Sequence, residues 1–109
     1  MRVLLAVTAL LAVGTALAMG EPPHVHVSQR NLAFDPKTLT IAPGTNVDIV
    51  NDEGDLLHHA YVKSDQMNFD SGDQEPGQTV TIPFNVPGTF QVLCGIHPRM
   101  KLRVTVAAP

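Results

Sequence analysis

Tryptophan is absent from this chain of 109 residues, cysteine occurs once, and aromatic residues make up only 5% of the sequence. A single cysteine excludes an internal disulfide, which small exported domains commonly use for stability. Beyond the amino terminus no segment is long and apolar enough to cross a membrane. The 10 acidic residues outnumber the 7 lysines and arginines, and a net charge of −3 argues against nucleic acid as a partner.

The amino terminus has the pattern of a secretory signal peptide. Arg2 supplies a positive charge, and an apolar run from Val3 ends in small residues at Ala18. The apolar core is short for a membrane span of about 20 residues. We therefore predict that residues 1–18 are removed and that residues 19–109 form one small domain without a stable membrane span. The predicted location is the periplasm or another exported compartment.

Short β-branched runs and frequent turn residues predict an all-β domain. Nine prolines and eight glycines separate segments rich in Val, Ile, Thr and Phe, and none of these keeps a helical period. Pro43-Gly44 and Pro87-Gly88 indicate turns, whereas residues 53–57 and 63–78 are predicted loops, the second with room for a short helical turn. The predicted strands suggest a β-sandwich and are Val25–Ser28, Thr38–Ile41, Asn46–Val50, His59–Val62, Thr79–Phe84, Thr89–Cys94 and Leu102–Val106.

The most informative segment is Cys94-Gly95-Ile96-His97-Pro98-Arg99-Met100, which places a thiol, an imidazole and a thioether at regular short spacing. Thiolate and thioether sulfurs are soft donors, imidazole is a good copper donor, and a His₂Cys set with a weak axial Met serves one-electron transfer. A second histidine is available upstream at His58 or His59. These residues predict a type 1 copper centre.

Strand alternation indicates which of these side chains face the core, because residues two apart share a face. Cys94 lies on the face of Phe90, and Met100 shares the face of Leu102 when the alternation of the last strand is extended backwards. Both sulfur atoms are thus predicted to point inward.

The same alternation separates the adjacent histidines. His58 shares a face with Leu56 and Ala60, whereas His59 shares the opposite face with Tyr61. His58 is therefore the better ligand candidate.

Several segments together resemble one known family. The similar segments are Leu32-Ala33-Phe34-Asp35-Pro36, Ile41-Ala42-Pro43-Gly44, Asn51, Phe69-Asp70-Ser71-Gly72, Pro87-Gly88-Thr89-Phe90 and the loop from Cys94 to Met100. They resemble the plastocyanin-type cupredoxins, which are secreted blue copper proteins. The loop spacing C-x2-H-x2-M, with a proline after the histidine, is more similar to amicyanin than to plastocyanin.

The resemblance implies a fold, a cofactor and a function. It implies a Greek-key β-sandwich of about seven to eight strands that binds one copper ion through His58, Cys94, His97 and Met100. It also implies a monomeric electron carrier, and not an enzyme, whose partners are redox proteins such as c-type cytochromes or a periplasmic dehydrogenase.

Two residues depart from the family pattern. His59 occupies a position where the family commonly has an asparagine that ties the two ligand loops together, and Arg99 replaces an apolar residue of amicyanin-like loops. Arg99 changes the hydrophobic patch with which the family usually docks to its redox partner, so it affects which partner the chain can bind.

Other interpretations of the same residues are weaker. A zinc site rarely needs a thioether, and paired-cysteine spacing is absent. A cysteine–histidine nucleophile lacks a recognisable third residue. A protein that delivers or sequesters copper remains the main alternative. His24 and His26 alternate with valines on one outer face, where they could chelate a second metal or simply be solvated.

Overall fold

Two packed β-sheets make up this computed structural model, which describes residues 20–108. The predicted signal peptide lies outside the described residues. The all-β prediction is confirmed. The described residues form nine strands, whereas residue bounds were predicted for seven. They are β1 His24–Arg30, β2 Ala33–Asp35, β3 Thr38–Ile41, β4 Thr45–Asn51, β5 His58–Lys63, β6 Asn68–Gln74, β7 Thr79–Phe84, β8 Gly88–Leu93 and β9 Lys101–Val106.

The first sheet has the order β2-β1-β4-β7, and the second has the order β3-β9-β8-β5-β6. Strands β1 and β4 pair in parallel, as do β3 and β9, whereas the other pairs are antiparallel. Parallel neighbours need crossover connections, so the chain passes repeatedly between the sheets. No helix among residues 20–108 is long and apolar enough to cross a membrane.

The core lies between the sheets and follows the predicted alternation. On β9, Leu102 and Val104 are fully buried while Arg103 is exposed, and Phe90 on β8 is buried on the same inner side. Valine and isoleucine fit this pleated interior well, because branched side chains pack against cross-strand neighbours.

Strand β2 was not among the predicted strands. It forms a hairpin with β1 through the two residues Asn31 and Leu32, which have φ of 55° and 56°. Two positive φ values in a two-residue loop are typical of a type I′ turn, which usually contains Asn-Gly. With leucine at the second position the hairpin lacks its usual sequence signal.

The predicted loop over residues 63–78 is wrong in its central part, because Asn68–Gln74 forms β6. Its sequence is rich in Asn, Asp, Ser and Gly, which are uncommon in strands. Strand β6 lies at a sheet edge and pairs only with β5, with a register shift between His59 and Tyr61. The residues between β5 and β6 form a turn in which Ser64 Oγ accepts a hydrogen bond from the Met67 amide, and no helical turn forms there.

Leu56 was predicted to face inward with His58, and this is wrong. Strand β5 begins at His58, so Leu56 belongs to the preceding loop and is 37% exposed. Alternation holds only within a strand, and it correctly places the buried Ala60 and Val62.

Candidate metal centre

Strand ends of the second sheet place the predicted ligands at one end of the sandwich. His58 is the first residue of β5, Cys94 directly follows β8, and Met100 directly precedes β9. Strand β8 lies between β5 and β9, so all three residues lie at the ends of neighbouring strands or directly beside them. Their exposed fractions are 0%, 2% and 1%, which confirms their predicted inward orientation.

A tight turn connects Cys94 to Met100 and carries His97. The Met100 amide donates a hydrogen bond of 2.9 Å to the His97 carbonyl oxygen. Pro98 occupies the second position of this turn, where its fixed φ is favourable. His97 remains half-buried at the surface of the loop while Met100 enters the core.

Three of the four predicted ligands converge. The ligand atoms of His58, Cys94 and His97 all lie within 4.8 Å of one another. Cys94 Sγ is 3.8 Å from His97 Nδ1, and the two imidazole centroids are 5.1 Å apart. One thiol and two imidazoles at this separation can share a single metal ion.

The environment of His58 also fits a metal. Both ring nitrogens are buried without a hydrogen-bond partner, although a buried polar group left unpaired costs about 1–3 kcal/mol. Burial lowers the pKa of His58, and the Glu53 carboxylate, 3.5 Å from Nε2, opposes this shift. At 3.5 Å the carboxylate is an electrostatic neighbour and not a good hydrogen-bond acceptor. A neutral imidazole with a free nitrogen is the form that binds metals.

Glu53 is a residue near the centre that sequence reasoning missed. The Leu32 amide donates a hydrogen bond of 3.1 Å to Glu53 Oε1, and this bond lowers the pKa of Glu53 below its ordinary value of 4.5. Glu53 thereby connects the β1–β2 turn to His58. Only the folded structure reveals this connection, because Leu32 is distant in the chain from Glu53 and no local pattern places the Glu53 side chain beside His58.

Asn51 orders the loop that leads to His58. Its fully buried side chain donates hydrogen bonds to the carbonyl oxygens of Leu56 and Gln74, at 2.8 and 2.9 Å, and accepts one from the Glu53 amide at 3.0 Å. A polar residue directly after the apolar pair Ile49-Val50, at the end of β4, was the available sequence signal. Asn51 therefore joins β4, the loop and β6 at the base of the site.

His59 points away from the ligand atoms and contacts the ligand loop from outside. Its Nε2 lies 2.5 Å from Asp70 Oδ1, and its ring packs so closely on Gly95 that a Cβ there would overlap it. Two interactions lower the pKa of the Asp70 carboxyl group. The larger effect comes from the hydrogen bond donated by the Gly72 amide, and the smaller one from the contact with His59. His59 thus joins the β5 strand to the ligand loop at the position where asparagine is common in the family.

The surface around His97 is mostly apolar. A shallow depression is lined by His97 with Leu32, Ile96, Pro98 and Arg99. Leu32 is 50% exposed and Ile96 is 41% exposed. Arg99 therefore places one positive charge at the rim of an apolar patch.

Comparison with known proteins agrees with the fold and the cluster. Residues 23–107 match the model of copper binding proteins of the plastocyanin/azurin family. Amicyanin-alpha from Methylorubrum extorquens is 32% identical over 104 residues, which cover 91% of this chain and 87% of the relative. The chain belongs to the plastocyanin/azurin family of copper binding proteins.

Further similarities are found to a plastocyanin, a nitrite reductase and an amicyanin variant. The chloroplastic plastocyanin of Physcomitrium patens is 32% identical over 87 residues, which cover 70% of this chain and 51% of that protein. A copper-containing nitrite reductase from Thermus scotoductus superposes with a TM-score of 0.73 at 34% identity, covering 83% of this chain but only 24% of the reductase. A reduced amicyanin variant superposes with a TM-score of 0.71 at 19% identity, covering 83% of this chain and 88% of the variant, and this supports the fold.

Proposed function

We propose that the chain is an exported electron carrier in which His58, Cys94, His97 and Met100 would hold one copper ion. The observation that carries this proposal is the convergence of one thiol and two imidazoles within 4.8 Å at the end of a packed sandwich. Membership of a copper binding family supports the choice of metal. The signal-peptide pattern of residues 1–18 supports export.

Each proposed ligand has its own role. Copper, when bound, supplies a one-electron couple. The Cys94 thiolate provides the soft donor, and the imidazoles of His58 and His97 complete a trigonal set. Three neighbouring strands fix His58, Cys94 and Met100, so the site does not need to rearrange when the charge of the centre changes. Small rearrangement favours fast electron transfer.

The half-buried His97 is the proposed route for the electron, since the other three side chains are buried. Its apolar surroundings can exclude water where a partner docks. Redox proteins such as c-type cytochromes or a periplasmic dehydrogenase are the proposed partners. Such encounters are typically weak and use small interfaces.

The decisive experiment is an absorption spectrum of the oxidised, copper-loaded protein, followed by voltammetry. We expect an intense visible band from thiolate-to-copper charge transfer and a reversible one-electron wave. A colourless protein that binds zinc in preference would contradict the proposal.

Copper delivery or sequestration predicts a different behaviour. A carrier retains its metal while the charge cycles, whereas a delivery protein releases it. We therefore expect the blue band to survive repeated reduction and reoxidation in the presence of a chelator. Loss of copper from the reduced form during cycling would favour delivery.

Similarity to part of a nitrite reductase raises the question of enzymatic activity. The proposed ligand set surrounds the metal with four side chains and leaves no free position for a substrate. The copper-loaded protein is therefore expected to show no turnover of nitrite with an electron donor. Sustained nitrite consumption would contradict a purely carrier role.

A further inference from the structure

A second group of metal-binding side chains lies on the sheet that contributes none of the proposed copper ligands. His24 and His26 are two residues apart on β1 and share its outer face, and Asp48 lies on the neighbouring parallel strand β4. His26 is paired directly with Asp48 in the register. Asp48 Oδ2 is 2.9 Å from His24 Nδ1 and 3.6 Å from His26 Nδ1.

Asp48 is held in place from the other side. Thr81 on β7 donates a hydrogen bond of 2.6 Å to Asp48 Oδ1, which leaves Oδ2 directed at the imidazoles. The Asp48 side chain is 11% exposed, and within residues 20–108 the two histidines are the basic side chains that lie within 4 Å of its carboxylate. The pKa of Asp48 lies below its ordinary value of 3.8. The largest cause is the hydrogen bond from Thr81, and the contact with His24 contributes less. An ionised carboxylate is thus fixed beneath two imidazoles.

We propose that His24, His26 and Asp48 form a second metal site for a borderline divalent cation, Zn²⁺ or Cu²⁺. Two imidazole nitrogens and one carboxylate oxygen form a donor set that suits both ions. The site opens to solvent, so water completes the coordination shell. It does not depend on the copper centre proposed above, because no residue is shared.

Metal binding requires one local movement. His26 Nδ1 lies 3.6 Å from Asp48 Oδ2, farther than His24 Nδ1 at 2.9 Å, so His26 must move closer to share an ion. The side chain of His26 is 79% exposed and that of His24 is 41% exposed, so both rings can adjust to share an ion with Oδ2 without disturbing the core. Asp48 remains fixed by Thr81 and supplies the anchored ligand.

Calorimetric titration of the copper-loaded protein with Zn²⁺ at neutral pH tests the site. We expect one equivalent to bind while the blue band stays unchanged, which shows that zinc does not displace copper. His24→Ala and His26→Ala should each weaken this binding by about tenfold or more, as should Asp48→Asn. The two histidine variants alter exposed side chains, so a folding defect in Asp48→Asn would not prevent the test.

Asp65→Asn is the matched control, because Asp65 is an exposed loop carboxylate and its substitution changes the net charge equally. Its zinc affinity should equal that of the unmodified chain. The proposal is overturned if the copper-loaded protein binds no zinc up to millimolar concentration. It is also overturned if His26→Ala binds zinc as tightly as the unmodified chain, since the ion would then lie elsewhere.

Discussion

At the residue scale, the two sulfur ligands of the proposed centre differ in strength. We expect Cys94→Ser to abolish the visible band and most tight copper binding, because a hydroxyl cannot replace a soft thiolate. Met100→Leu should retain copper and raise the reduction potential, because it removes a weak donor and makes the site more apolar; its stability should change by less than about 1.5 kcal/mol. Absorption spectra and voltammetry measure both variants. A full blue band in Cys94→Ser would contradict the type 1 assignment.

The adjacent histidines provide a test with a built-in control. His58→Ala should destroy the blue site, because His58 is fully buried and grouped with Cys94 and His97. His59→Ala should keep the colour, with a modest shift in potential from the loss of its contacts with Gly95 and Asp70. Copper titration followed by spectroscopy distinguishes the two. The reverse result would assign the ligand role to His59.

Alternation along strands was enough to predict that Cys94, Met100 and His58 face inward, since it is a local property of the backbone. The contacts of Glu53 with His58, and of His59 with Gly95, could not be predicted in this way. The first depends on how the irregular loop before β5 folds back, and the second joins residues distant in the chain; alternation specifies neither.

At the scale of single elements, the ligand loop depends on glycine at position 95. Gly95→Ala should displace the His59 ring or the loop, destabilise the fold by about 1–3 kcal/mol, and alter the copper spectrum. Gly54→Ala is the control, because a Cβ there meets nothing within 4 Å, and its stability should change by no more than about 0.5 kcal/mol. Denaturant unfolding measures both changes. Equal stabilities of the two variants would show that His59 does not restrict the loop.

The loop before β5 depends on Asn51. Asn51→Ala leaves three backbone groups without their partner, of which the Gln74 carbonyl is in a buried contact, and we expect a loss of about 2–4 kcal/mol of unfolding free energy. Asn68→Ala, at an exposed position on β6, should change stability by no more than about 0.5 kcal/mol. If the two variants unfold at the same denaturant concentration, the loop is ordered by other contacts.

The apolar strands of both sheets could be predicted because their residue types and alternation are strong local signals. Strands β2 and β6 could not, for two physical reasons. Strand β2 is only three residues long and its turn lacks glycine. Strand β6 is a polar edge strand, and charges with an irregular register are how exposed edges avoid pairing with other chains.

At the scale of the whole molecule, positive charge is concentrated near the proposed electron route although the chain is acidic. Arg99 lies at the rim of the apolar patch, and Lys101 and Arg103 are exposed on the adjoining strand β9. This distribution favours a partner with an acidic rim around its redox centre, because complementary charge mainly raises the association rate.

Stopped-flow electron transfer across a salt series tests this docking surface. Arg99→Glu should lower the second-order rate on the order of tenfold at low ionic strength and weaken its salt dependence, while the copper spectrum stays unchanged. Lys63→Glu is a control of equal charge change at an exposed position, because Lys63 ends β5 at the opposite end from His58. A rate that responds neither to salt nor to Arg99→Glu would contradict the proposed surface.

The parallel pairing of β3 with β9 also has a consequence for the order of assembly. It joins Thr38 to Arg103, with five other strands between them in the chain. Closing such a large segment of chain is slow, because its entropy must be lost before the distant contacts form. Strand β9 begins directly after Met100, so the sheet that orients the ligand loop is complete only when Lys101–Val106 has paired. For an exported chain, metal capture would then follow translocation and folding, and the Cys94 thiol would reach the new compartment before its metal does.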